Sequence, residues 1–186
     1  ERNGAIGKLA EIDHSLSYHT GKIQEAKKDL ACFEQRVERD TEGNPVNRLS
    51  IKGVEDCSDI KVIAHRLQEI EEKARTNGEY NKIGELYGFS VMVKTESSSQ
   101  NLFDLSVNRF FVKGEGSIYY TYNNGKLAND PKLACLNFFN ALERIPKVIE
   151  SHEKEIAKVS ANKEVYTTIA NSSWKKEEDL RSLKAQ

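Results

Sequence analysis

Four histidines and three cysteines are the side chains here best suited to metal binding, acid–base work or nucleophilic attack. Histidine titrates near neutrality and ligates metals through either ring nitrogen, and cysteine acts once it is a thiolate. Spacing restricts both. His14 and His19 are five residues apart, so they do not share a helix face. His19 and His152 occupy equivalent heptad positions of two distant segments, and they fall at one level if those segments run antiparallel. A layer of two imidazoles would set register, titrate, or bind a metal. Two ligands with no thiolate or carboxylate at hand make a poor zinc site, however. Each ring reaching water at the seam's edge is the plainer alternative. Cys57 stands at a helix start, which favours a thiolate, but no histidine is close in sequence and a small residue near a cap explains it. Gly114-Glu115-Gly116 lacks the Gly-Lys-Ser/Thr of a phosphate loop and sits between strands. Ser-His-Asp order, paired carboxylates, a Walker motif and Cys-x-x-Cys are all missing. The expectation is a non-enzyme with no cofactor and no metal.

Nucleic-acid contact is the other chemistry to weigh. Lys27-Lys28, Arg36 with Arg39, and Lys175-Lys176 would touch phosphates with strongly salt-dependent affinity. Glu25, Asp29, Glu34, Glu38, Glu177 and Glu178 interleave with them, and a solvated, salt-bridged helix face is the rival reading. Strand aromatics stack on bases in single-strand binders, but here they share faces with Val, Leu and Ile and are expected to cover a core. Tyr119, opposite Tyr120, is the ring expected outside. The expected DNA contacts are therefore Lys27, Lys28, Arg36, Arg39, Tyr119, Lys175 and Lys176. With 28 basic against 29 acidic residues, net charge −1, no global field draws the chain to DNA or an anionic membrane, so any contact is a local patch.

These residues must be carried by elements. Leu9, Leu16, Ile23, Leu30 and Val37 recur every seven residues, with Ile12, His19, Ala26 and Phe33 three after the first four. That spacing predicts a helix over 1–40, roughly 50 Å long, docking on another helix. Thr41-Glu42-Gly43-Asn44-Pro45 ends it. A second heptad runs Cys135, Leu142, Ile149, Ile156 with Phe138, Ile145, His152, Val159, after an Asp130 cap and Pro131 at the first helical position. Pro146 should kink it near Leu142–Ile145. Asn171-Ser172-Ser173 reads as a break before a short last helix from Trp174.

Between the heptads lies a small α/β insert, 46–125. It has a short β-like run in Asn47–Val54 and a helix over 58–75, capped by Ser58 or Asp59. That helix puts Ile60, Ile63, Leu67, Ile70 and Ala74 on one face. Three alternating runs follow, with faces Tyr87/Phe89/Val91/Val93, Phe103/Leu105/Val107 and Ile118/Tyr120/Tyr122. They predict an antiparallel sheet with one buried face. Lys113–Gly116 is its hairpin loop and Glu96–Asn101 a looser, Ser-rich one. The fold class is α+β: a long antiparallel helical hairpin or coiled coil, completed by helices over 130–186, with the sheet and one helix inserted.

Three unspaced cysteines make a disulfide framework unexpected and fit a reducing, cytoplasmic setting. No run approaches membrane-spanning length, and no signal peptide is visible. The chain opens on Glu1 and stops at Gln186 in helical patterns, and it reads as a piece of something larger.

Three runs carry a family resemblance: Ile83-Gly84-Glu85-Leu86-Tyr87-Gly88-Phe89, Asn140-Ala141-Leu142-Glu143-Arg144-Ile145-Pro146-Lys147, and Trp174-Lys175-Lys176-Glu177-Glu178-Asp179-Leu180. With Leu49–Gly53, Asp59, Lys61, Ala64 and Leu67, the stretch 46–186 resembles the extreme C-terminal region of very large bacterial mobile-element and phage proteins. In these a Swi/Snf-type DNA helicase is often fused to an adenine-specific DNA methyltransferase. Leu86 stands where that family often has Tyr, and Asn129-Asp130-Pro131-Lys132 replaces its more usual Gly-Asn. Asn129-Asp130-Pro131 itself lacks the second Pro and the aromatic of the amino-methyltransferase motif, and a helix start explains it. The resemblance implies a non-catalytic accessory module, since the helicase and methyltransferase motifs lie upstream of this region. Its partners would be the rest of the parent polypeptide, and DNA. A coiled-coil self-association module, a homodimer without DNA contact, is the alternative. No membrane partner is expected.

Overall fold

The computed structural model describes residues 2–98 and 105–185. Among them are four α-helices and a five-stranded antiparallel sheet, a mixed α+β chain. The elements are α1 (Arg2–Arg36), β1 (Ser50–Ile51), α2 (Ile60–Lys73), β2 (Tyr80–Leu86), β3 (Phe89–Ser98), β4 (Leu105–Lys113), β5 (Tyr119–Tyr120), α3 (Pro131–Glu143) and α4 (Ile145–Lys184). The sheet order is β1-β2-β3-β4-β5, each strand beside its sequence neighbour. The chain divides into two compact units, Glu25–Lys147 and Glu1–Gln24 with Val148–Gln186.

In Glu25–Lys147 the core lies between the sheet and α2 with α3. Helix α2 starts at Asp59, whose carboxylate accepts from the Lys61 N–H, and it buries Ile63, Ala64, Leu67 and Ile70. Helix α3 starts at Asp130, which accepts from the Leu133 N–H, and it buries Phe138, Phe139 and Leu142 among others. The two helices pack on each other and on β4. Across the sheet, Val91 pairs with Val112 and Val93 with Phe110, and all four are buried. Fully burying a side chain of this size contributes roughly 1.5–3 kcal/mol.

Several expectations are corrected here. A strand not expected, β2, precedes the first alternating run; its Gly84 faces the Ser50 carbonyl so closely that a Cβ there would collide with it. Tyr87 belongs to no strand face. With Gly88 it forms the two-residue turn between β2 and β3, both at positive φ, 49° and 77°. Its hydroxyl donates to the carbonyls of Glu38 and Val46, which holds a left-handed conformation that a bulky residue seldom adopts.

The face expected inward on β4 is reversed. Val107 is 41% exposed, while Asn108, Phe110 and Val112 point in. A polar residue is accepted inside because its amide donates to the carbonyls of Glu71 and Ala74, which the end of α2 leaves open. Thr95 Oγ1 donates to Asn108 Oδ1 at 2.6 Å, and Thr76 and Thr95 exchange backbone-to-hydroxyl bonds. A one-residue change of parity moves every side chain of a strand to the other face. Phe103 and positions 99–101 of the expected loop lie outside the described residues, and Glu96–Ser98 are strand rather than loop. In the third run only Tyr119–Tyr120 is strand; Tyr122 is exposed and leads into a 3₁₀ turn, Asn123–Gly125.

Helix α1 ends at Arg36, short of residue 40. The segment after it closes on itself, with Arg39 bridged to Pro45 and Asp40 Oδ1 accepting from the N–H groups of Glu42 and Asn44. Pro146 does more than kink a helix. Arg144 leaves helical geometry (φ −89°, ψ 0°), α3 ends, and Pro146 is the second residue of α4, where its missing N–H costs nothing. The break expected at Asn171-Ser172-Ser173 is absent, and α4 runs through it. Thr168 Oγ1 returns to the Glu164 carbonyl and Ser172 Oγ to that of Ile169, so these hydroxyls bond the helix instead of competing with it.

In Glu1–Gln24 with Val148–Gln186, burial follows the expected heptad positions. Ala5, Ile12 and Ile149 are buried, and Leu9, Leu16, His19, Ile23, His152, Ile156 and Val159 are half-buried. Among the described residues no helix is long and apolar enough to cross a membrane.

Candidate functional site

The buried carboxylate of Asp29 is the first notable group. It faces the hairpin loop after β4, accepting from the Glu115 N–H at 2.8 Å and from the Tyr120 hydroxyl at 2.7 Å. Asp29 is 1% exposed, against its expected place on a solvated face. One turn earlier, Glu25 accepts from the Ser117 N–H and hydroxyl. Arg36 reaches Glu115 at 2.6 Å while lying over the Phe89 ring. Gly114 is required here, because a Cβ would enter the Asp29 carboxylate. Burial, and then the bond to Asp29, holds the Tyr120 hydroxyl well above the usual tyrosine range.

The face of the sheet turned away from α2 and α3 carries a second arrangement. The rings of Tyr80 and Tyr119 stack at 3.6 Å between centroids and 12° between planes. Phe111 meets both edge-on, at 5.1 Å and 6.3 Å. Lys94 Nζ stands 4.8 Å from the Tyr80 ring centre. Register places Lys82, Met92 and Phe111 in one row, Tyr80, Lys94 and Arg109 in a second, and Lys113 beside Tyr119. Lys82 is paired with Glu85 and Arg109 with Glu96, so among the described residues Lys94 and Lys113 are the cations in excess. Burial raises the Tyr80 hydroxyl's pKa.

The third arrangement is the histidine layer. The Nδ1 atoms of His19 and His152 are 2.8 Å apart, so one donates and the other accepts. Tyr18 packs edge-on to both rings, and Lys22 lies over Tyr18. Desolvation, then His19 and Lys22, lowers the His152 pKa. Among the described residues no set of three His, Cys, Asp or Glu side chains converges on a metal-sized space.

The expected DNA contacts have different surroundings. Lys27 and Lys28 are exposed on α1, and Lys175 and Lys176 are exposed on α4. Arg36 is engaged as described. Arg39 pairs with Glu143 and lies over Phe139. Tyr119 is half-buried, on the face expected for it. Tyr80, Phe111, Lys94 and Lys113 are not among the expected DNA contacts. A signal existed for Phe111: a doublet such as Phe110-Phe111 on one strand must place one ring on each face. Cys57 precedes the α2 cap and is half-exposed, while burial pushes the Cys135 thiol up to about 11. His65 stands on the open side of α2, 3.7 Å from Glu69.

A family model described as "Domain of unknown function (DUF8438)" matches residues 34–142, more than half of the chain. The chain belongs to this family. The DUF8438 match runs from the end of α1 nearly to the end of α3, and so includes the whole sheet and the hairpin held by Arg36. No curated protein and no solved structure matches the chain.

Proposed function

We propose that this DUF8438 chain is a non-catalytic C-terminal accessory module of a bacterial DNA helicase, or helicase and adenine-specific methyltransferase, that positions DNA or other parts of its parent. Residues 2–24 and 148–184 would form an antiparallel helical hairpin of coiled-coil type. The heptad faces support that arrangement, as do two contacts running in opposite order along the chain, Asp13 with Lys163 at 2.7 Å and His19 with His152. The helicase context rests on the likeness of residues 46–186 to the C-terminal region of such proteins.

The observation that carries the positioning role is the grip of α1 on the hairpin. Three side chains of one helix, Glu25, Asp29 and Arg36, hold the five-residue loop 114–118. A support of this kind presents the sheet in one orientation, as a positioning element must, and it leaves Lys27 and Lys28 in solvent for phosphate contact. The test is binding of the chain to single- and double-stranded DNA across a salt series. Affinity should fall steeply with salt as counterions are released. No binding at low salt removes DNA from the reading.

Self-association is the second reading. Val165, Ile169, Leu180 and Leu183 are exposed along α4 and fall near one side of it. Sedimentation over a concentration series should then show a dimer growing in; a monomer throughout excludes it.

A further inference from the structure

We propose that the outer face of the sheet binds single-stranded nucleic acid, with an unstacked base extending the Tyr80–Tyr119 stack and Lys94 and Lys113 neutralising backbone phosphates. The inference deepens the positioning role and rests on its DNA half. It starts from a departure from the pattern of half-covered antiparallel sheets, in which the side away from the helices alternates to polar residues. Here that side gathers three aromatic rings from β2, β4 and β5.

Cross-strand ring packing stabilises a sheet by itself, so the rings alone would not indicate a ligand. Charge supplies the second argument. Among the described residues, the acids of the face, Glu85 and Glu96, are each matched by a cation, Lys82 and Arg109. Lys94 and Lys113 remain on either side of the rings, one over Tyr80 and one in register with Tyr119. An anion carrying flat apolar groups fits this arrangement. The stack also has an end. Tyr80 is contacted by Lys94 and stacked on by Tyr119, so a base that extended the stack would do so on Tyr119. In a duplex the base faces are already used by neighbouring bases, whereas a single strand offers them. Stacking is indifferent to sequence, and little base preference follows.

The test is fluorescence anisotropy of the full 186-residue chain with a short labelled oligo(dT), the matching oligo(rU) and a duplex of equal length. Either single strand should bind more tightly than the duplex, and the dT and rU arms tell DNA from RNA. Tyr119→Ala should weaken single-strand binding about tenfold or more, and Tyr119→Phe should restore it. Lys94→Gln and Lys113→Gln should each reduce the salt slope by roughly 0.7. A melting curve shows whether each variant is folded. Photocrosslinking of the unsubstituted chain to iodouracil-bearing oligomers avoids that question and should map to Tyr119 or Phe111. Crosslinks confined to Lys27–Lys28 or Lys175–Lys176, or folded Tyr119→Ala with unchanged affinity, overturn the sheet face and leave the DNA reading standing. No binding of any oligomer at low salt overturns both.

Discussion

In Glu25–Lys147 the apolar side chains close on one another from a sheet and two helices, and among the described residues no buried side-chain nitrogen or oxygen lacks a hydrogen-bond partner. In Glu1–Gln24 with Val148–Gln186, Ala5, Ile12 and Ile149 alone among the described residues are buried, and a pair of imidazoles stands where leucines would pack. The first unit spends its polar groups on orientation: Asp29 on a hairpin, Asn108 on the end of α2. The second uses them in place of packing. Local stability should therefore differ sharply between the units, and so should its response to pH.

The largest expected effect is in the core of the first unit. Phe89→Ala should cost about 3–5 kcal/mol in urea unfolding. Half-buried Ile156→Ala, in the second, should cost roughly 1 kcal/mol. Equal losses would erase the contrast. Next is Asp29→Ala, which strands the Tyr120 hydroxyl and the Glu115 N–H and should cost about 2–3 kcal/mol. Gly114→Ala should be similarly damaging alone and better tolerated beside Asp29→Ala, a coupling that a double-mutant cycle measures.

Two pH effects follow, and they act on opposite units. Tyr120 has a raised pKa in the folded state, through burial and its bond to Asp29. The folded state therefore keeps a proton that the unfolded chain releases near pH 10. That stabilisation is intact below about pH 10 and lost progressively above it. Alkaline melts should show this, and Tyr120→Phe should flatten it. The smallest effect is expected at the histidine layer. His152 has a lowered pKa, chiefly by desolvation, so its contribution is present above about pH 6.5 and lost as pH falls through the folded value. Amide exchange in 148–160 should quicken on acidification while that of β3 is unmoved. His152→Leu should abolish the change; equal acceleration in both units would break the comparison.

What could be read from the residues was what is decided locally. Asp59 and Asp130 cap helices because a carboxylate meets N–H groups two or three residues on, and heptad counting sets His19 level with His152 on the condition that the two segments run antiparallel. What escaped depends on distant partners. Asn108 looked like a solvent residue because the carbonyls that accept it inside belong to α2. Asp29 looked solvated because its partners lie some ninety residues further along. β2 was hidden by Gly84, whose absent side chain makes room for the Ser50 carbonyl. The outer aromatic face was missed for a related reason: its rings meet only once register brings β2, β4 and β5 together. The α4 break was expected because Asn and Ser often end helices, yet the Ser172 hydroxyl folds back onto its own helix.

The fit of Gly114 against Asp29 has a practical corollary for anyone reusing this scaffold. The hairpin is not a portable loop. Grafted onto another helix, it would arrive with a bare backbone amide and a tyrosine hydroxyl seeking an acceptor, and with a gap at its base. The acid must travel with the glycine, as a single transplanted unit.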